Sequence, residues 1–464
     1  MKYNYDIICI GLGPAGMAVS AMAAEMGLKV CAIEKHKIGG ECMNVGCIPS
    51  KALIKVAEKY HNGTNRKNKE LSEDLKKPFE KIQAHIDFIN QHKNSKMFSR
   101  VDLKLAQGSA KFLDSHTVLV GDKKYSGKRL FIATGTSPMV PPIPGIKDVE
   151  VLTNENIFKL SEIPKSMIII GGGAIGCEMA QAFTRLGCKC SIVHMDQHLV
   201  PVGDRQAAEL VEQAFIKEGI EVYNNKKIAS VYKENGEIAV ETCDGVILRG
   251  EKLLVATGRR IELNSLGLEK AGVEHNKRNI IVNNNLRTSV KHIYAVGDCN
   301  GQYLLSHAAM HQGMLALMNT MLPWFSRYNF RKFPVPWTVF VEPALSQVGL
   351  TEEDLKKNHK NYETHIVRYE DFGAVIAEEI GPGFVKIHCS PWGKIYGAII
   401  VGENSGEMIN EWAMAIQNKI SIRKIMMQQH SFPTMGFLTK RVAETWMMKK
   451  MQIPLLRKLI KTLY

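Results

Sequence analysis

The 464-residue chain has no run of 18 or more apolar residues, so no segment suits a membrane-spanning helix. It is short of acid: 46 Asp and Glu stand against 60 Lys and Arg, a formal net charge of +14. Its 38 glycines follow no period. At 45% hydrophobic and 23% charged residues, the composition excludes a disordered, collagen-like or small disulfide-stapled chain. The opening MKYNYDIICIGLGPAG runs straight into a glycine turn, with no room for a signal peptide's charged, apolar and cleavage regions. Ten cysteines in such a chain read as reduced and cytoplasmic, so a close pair is catalytic before it is structural. No second Cys/His pair stands at zinc spacing, and no metal site is expected.

The length suggests about three domains at ~150 residues each. The positive charge is local. Residues 51–104 hold 13 basic and 7 acidic residues, and residues 440–464 hold 7 basic residues and one acid, Glu444. No basic segment carries a nucleic-acid-binding motif, so no nucleic acid is expected.

Residues 5–10 (YDIICI) form an apolar run ending at Gly11, as in a buried parallel strand. A helix pattern follows from about Gly13 to Met26, and a second strand, KVCAIE, ends at Glu34. Residues 51–104 read as one or two long helices interrupted near Asn62–Asn68. Another strand, LFIAT, closes at Gly135, and Pro138 to Pro144 form a stiff linker. The same order then repeats: strand MIII (167–170), glycine turn, helix, strand, and LLVAT closing at Gly258 and Arg259. Residues 333–464 change to separate strands followed by helices, an α+β unit.

Gly11, Gly13 and Gly16 form a GxGxxG turn between strand and helix, with Glu34 18 residues past the last glycine. Such a turn lets the backbone approach a pyrophosphate, the helix start offers free N–H groups, and the acid accepts from ribose hydroxyls. Gly171, Gly173 and Gly176 repeat it, but the acid's position holds His194, followed by Met195. The third glycine leans toward NADH; a protonated His194 would instead accept the 2′-phosphate of NADPH.

In GGECMNVGCIPSK (39–51), four residues separate Cys42 from Cys47. A distorted first helical turn can bring the sulfurs into bonding range, and a helix start favours a thiolate. Two buried core cysteines are the alternative. Cys188 and Cys190, at a strand start, read as structural.

Together GLGPAG, GGECMNVGCIPSK, IATG, GGGAIGCE, VATGR and TSVKHIYAVGD resemble the two-cysteine FAD-dependent pyridine nucleotide–disulfide oxidoreductases. These include glutathione reductase, dihydrolipoamide dehydrogenase and mercuric reductase. The resemblance covers nearly the whole chain. It implies an α/β fold of two Rossmann-like dinucleotide-binding domains, the second inserted in the first, plus a C-terminal α+β dimerisation domain. Residues 1–150 and 280–332 would bind FAD, 151–279 NAD(P)H, and 333–464 would form the homodimer interface. Gly11, Gly13, Gly16, Glu34, Gly135 and Asp298 are then expected on FAD, and Gly171, Gly173, Gly176, His194 and Gly258 complete the cofactor contacts. Lys51 would approach the flavin and pair with Glu178; a cation there favours negative charge on reduced flavin. Cys47 would be the flavin-proximal sulfur and Cys42 the one that meets substrate. Electrons would pass from NAD(P)H through FAD to the pair and on to a disulfide, persulfide or other thiol-reactive acceptor.

The likeness breaks near the C-terminus. The family's His-Pro-Thr motif and following Glu supply an acid/base, whereas HSFPTMGF (430–437) has Phe432 and Phe437 at those positions. His430 reads by default as structural; it would substitute only if the segment is extended, so that positions two apart point the same way. Quinone or metal-ion reduction through the flavin is the alternative activity. No cysteine follows Cys389, which argues against mercury chemistry. Finally, Pro454 can start a helix with Leu455, Leu456, Leu459, Ile460 and Leu463 on one face and Arg457, Lys458 and Lys461 opposite. This basic amphipathic tail docks on its own domain, on the inner membrane surface or on an acidic partner.

Overall fold

A computed structural model describes residues 3–65, 77–91 and 95–463. The apolar run Tyr5–Ile10 is the centre of a parallel sheet, flanked by Val30–Glu34 and by Lys123–Ile132. Both faces of such a strand are covered, which is why its residues do not alternate with polar ones. Asp102–Leu105 extends one edge. The strand Lys123–Ile132 serves two sheets: its first half pairs antiparallel with Thr117–Val120, its second half parallel with Tyr5–Ile10 and with Ile293–Ala295.

A second parallel sheet has the order Glu221–Tyr223, Lys189–Val193, Ser166–Ile170, Lys252–Val255, Val151–Leu152. Its strands all lie between the two segments that build the first sheet. A third, antiparallel sheet of five strands runs from Trp337–Val339 to Glu363–Arg368, with the helices Ser405–Gln417 and Phe437–Met451 among the elements around its core. The fold is therefore the α/β arrangement of two nucleotide-type units and an α+β unit.

The helix Cys47–Asn65 runs on through Asn62 and Asn65, so the expected interruption does not begin at Asn62; residues 66–68 lie outside the described residues. Leu53 and Val56 of this helix share one core with Phe183 of the helix Ala174–Arg185 and with Leu345 and Phe384 of the third sheet. That core holds the cysteine-bearing helix against both neighbouring units. A buried ion pair adds to the junction: Lys386 Nζ lies 2.8 and 2.9 Å from the Asp204 carboxylate oxygens. The linker after Gly135 is anchored too, since Ser137–Pro138 pairs with Arg259–Arg260.

Candidate active site

The helix Pro14–Glu25 begins at Gly13 with no side-chain cap, which leaves first-turn N–H groups free for an anion. A methyl group at Gly16 would stand 1.9 Å from the Gly11 carbonyl, and one at Gly11 2.3 Å from that of Ala133. A methyl group at Gly13 would meet nothing within 4 Å. Two glycines thus bring helix and strand together, and the third leaves a gap beside the helix start. Glu34 is buried, its oxygens accepting from the N–H groups of Leu12 and His36 at 2.8 Å each. Each oxygen keeps a lone pair for a hydroxyl. Glu34, Gly135, Thr136 and Leu266 line one cleft. An uncapped helix start, a gap over glycine and a fixed carboxylate fit the adenosine diphosphate half of FAD.

The second turn has the same dimensions. Methyl groups at Gly171 and Gly176 would stand 2.4 and 2.0 Å from the carbonyls of Ala256 and Gly171, and Gly173 faces open space. Gly258 adopts φ +136° at the end of the matching strand. His194 sits beside the second glycine turn. It is buried against Gly172, and its Nε2 is 2.6 Å from Asn224 Oδ1. Beyond it, Met195 and Asp196 are exposed.

Cys42 lies in the short helix Gly40–Asn44, and Cys47 starts the helix Cys47–Asn65. The two thiols act on each other's acidity, and all ten cysteines are free thiols. Cys47 is held down at about 6, chiefly by the Cys42 thiol; burial opposes this, and the Ser306 hydroxyl and Lys51 add to the lowering. Cys42 is pushed up by the same contact and by burial. The arrangement favours the thiolate on Cys47 and the proton on Cys42. Ser306 Oγ is 3.2 Å from Cys47 Sγ.

Lys51 is one turn after Cys47 and puts Nζ 2.8 Å from Glu178 Oε2. The other Glu178 oxygen accepts from the Phe340 N–H at 3.1 Å, and the Phe340 ring lies 4.2 Å from Lys51 Nζ. Asp298 is half-buried, and loss of solvent raises its carboxyl. Thr136 Oγ1 donates to it at 3.0 Å and accepts from Arg259 Nε at 2.5 Å. Arg259 also pairs with Glu41, next to Cys42. Ser306, Phe340, Arg259 and Glu41 were not singled out as site residues in the sequence. Ser306 is 259 positions from Cys47, and no spacing rule reaches that far.

Phe432 is 69% exposed, with its ring centroid 5.3 Å from that of Phe437, and Phe437 stacks on Phe372 at 5.9 Å. His430 does not share its direction. The chain turns at Phe432, and His430 is buried with Nε2 3.0 Å from Glu411 Oε1. The pair Cys188 and Cys190 is buried in the core. Among the described residues no group of three or more His, Cys, Asp or Glu could hold a metal.

Two family models match: the pyridine nucleotide-disulphide oxidoreductase model over residues 5–313, and the dimerisation domain of the same family over 335–441. Dihydrolipoyl dehydrogenase of Thermus scotoductus is 31% identical over 447 residues, 93% of this chain and 95% of that one. Mercuric reductase of Lysinibacillus sphaericus is 31% identical over 465 residues, 96% of this chain and 83% of the relative. Among solved structures, the HOCl-induced flavoprotein disulfide reductase RclA from Escherichia coli has a TM-score of 0.85 at 25% identity, over 95% of this chain and 99% of that one. The chain belongs to the pyridine nucleotide-disulphide oxidoreductases, FAD-dependent enzymes that use a pyridine nucleotide and dimerise through their C-terminal domain.

Proposed function

We propose that this protein transfers an electron pair from NADH to an apolar disulfide or persulfide through Cys42 and Cys47. The observation that carries the reading is the pair itself: Cys47, beside Ser306 and Lys51, is lowered toward the thiolate, and Cys42 is raised by the same partner and by burial. FAD, when bound, relays the electron pair from the nicotinamide to the Cys42–Cys47 disulfide. Gly11, Gly13, Gly16, Glu34, Gly135 and Asp298 would hold it. Gly171, Gly173 and Gly176 would hold the nucleotide.

With both cysteines reduced, Cys42 loses its proton and its sulfur attacks one sulfur of the acceptor, expelling the other as a thiolate. Cys47 then attacks Cys42, releases the second acceptor sulfur and restores the internal disulfide. Cys47 is already charged, so its attack needs no base. Cys42 must give up a proton, and the Phe432–Phe437 cluster has no group to take it. Solvent takes it instead, and turnover of polar dithiols should be slow. The exposed Phe432 ring, backed by Phe437 and Phe372, would offer an apolar surface where the family has its base.

NADH is favoured over NADPH in this reading by exposed Asp196, just past the strand Lys189–Val193 and 3.7 Å from His194 Nδ1. Its charge repels a 2′-phosphate, and the nearest lysine, Lys226, is bound to Asp244. A second reading, direct flavin reduction of a quinone or metal ion, is favoured by the same aromatic cluster. The test is anaerobic titration with NADH. A long-wavelength thiolate-to-flavin band that disappears in Cys47→Ser supports the proposal. Absence of the band in wild type, with quinone turnover unchanged in Cys42→Ser and Cys47→Ser, supports the second reading.

A further inference from the structure

We propose that the helix Pro454–Leu463 docks the enzyme on an anionic lipid surface. The helix begins at a proline, which costs nothing at that position, and contains no acid. Leu455 and Leu463 are 78% and 76% exposed, and Ile460 is exposed as well. A helix that packed on its own domain would bury these side chains first. Arg457, Lys458 and Lys461 are also exposed, and among the described residues no carboxylate pairs with them.

The surface at the root of the helix continues the same chemistry. Met448, Met451 and Ile453 are exposed in the turns before it. Nearby, Arg423, Lys424, Met426, Met427 and Met447 line a groove of flexible apolar side chains and cations. Residues 440–464 carry 7 basic residues and one acid. The dimerisation-domain match ends at residue 441, before the helix begins.

Charge decides between occupants. A second copy would set one cationic helix against another. An acidic protein would match the cations but leave the leucine face uncovered. An anionic bilayer satisfies both, because leucine and methionine enter the acyl boundary while lysine and arginine remain at the headgroups. Each basic residue near such a surface strengthens binding by about fivefold.

The test is co-sedimentation of the full FAD-loaded enzyme with phosphatidylglycerol–phosphatidylcholine vesicles, against pure phosphatidylcholine. Binding is expected only with the anionic lipid, weakened by salt. Arg457→Gln, Lys458→Gln and Lys461→Gln together should weaken it by roughly 10²-fold, with NADH oxidation and dimer mass unchanged. Leu455→Ser with Leu463→Ser should weaken it as well. Equal binding to both lipids, no binding, or binding indifferent to both variants overturns the proposal. A truncation after residue 451 that dissociates the dimer also overturns it, since the helix would then belong to the subunit interface.

Discussion

Ser306→Ala tests how the thiolate is held. Cys47 lies at about 6 because Cys42 donates to it, against the opposing effect of burial, with the Ser306 hydroxyl and Lys51 in support. Ser306 can donate to Cys47 Sγ across 3.2 Å. A hydrogen bond to a charged group contributes ~1.5–3 kcal/mol, and about 1.36 kcal/mol corresponds to one pKa unit. Loss of the hydroxyl should therefore raise Cys47 by about one to two units, to about 7–8. The thiolate is the form stabilised in the fold, so it is present at high pH and lost as pH falls through this value. The assay is the charge-transfer absorbance of NADH-reduced enzyme against pH. Wild type should keep the band until pH approaches 6, Ser306→Ala should lose it near neutrality, and Ser306→Thr should restore it. An unchanged midpoint in Ser306→Ala refutes the reasoning.

Lys386→Ala leaves the Asp204 carboxylate buried without its partner, both side chains being under 8% exposed. It should cost about 3–5 kcal/mol in denaturant unfolding, and a loss below about 1 kcal/mol would show that water relieves the charge. Phe432→His with Phe437→Glu should raise dihydrolipoamide turnover at least ~10-fold, within the ~10²–10⁴ that a positioned base supplies; no gain in steady-state rate would place the segment away from the thiols. Asp196→Lys should shift the kcat/KM ratio toward NADPH by on the order of tenfold, and an unaltered ratio would remove Asp196 from the nucleotide site.

The α/β class was legible because two strand–glycine–helix runs use the same spacing, and in both the outer glycines pack while the middle one faces open space. Those contacts are local, so periodicity exposes them. Lys51 and Glu178 required the family resemblance, since 127 positions separate them. Ser306 reaches Cys47, Phe340 reaches Lys51 and Arg259 reaches Glu41 from far along the chain, and no local pattern marks them. The surroundings of His194 and His430 were not legible for one reason. A histidine at a strand end or beside a motif reads as available, but burial against Gly172 or Glu411 is decided by packing partners elsewhere in the chain.

The strand Lys123–Ile132 has a consequence for synthesis on the ribosome. Its outer partner, Ile293, pairs with Leu130 across 163 positions. The intervening stretch holds every strand of the second parallel sheet, so that sheet can close while the first still lacks an edge. Nascent chains whose emerged part ends near residue 280 should protect Ser166–Ile170 from protease and leave Leu130–Ile132, the edge that awaits Ile293–Ala295, open to it. The flavin cleft would then mature last, when translation delivers Ile293–Ala295 and the Asp298 turn that follows.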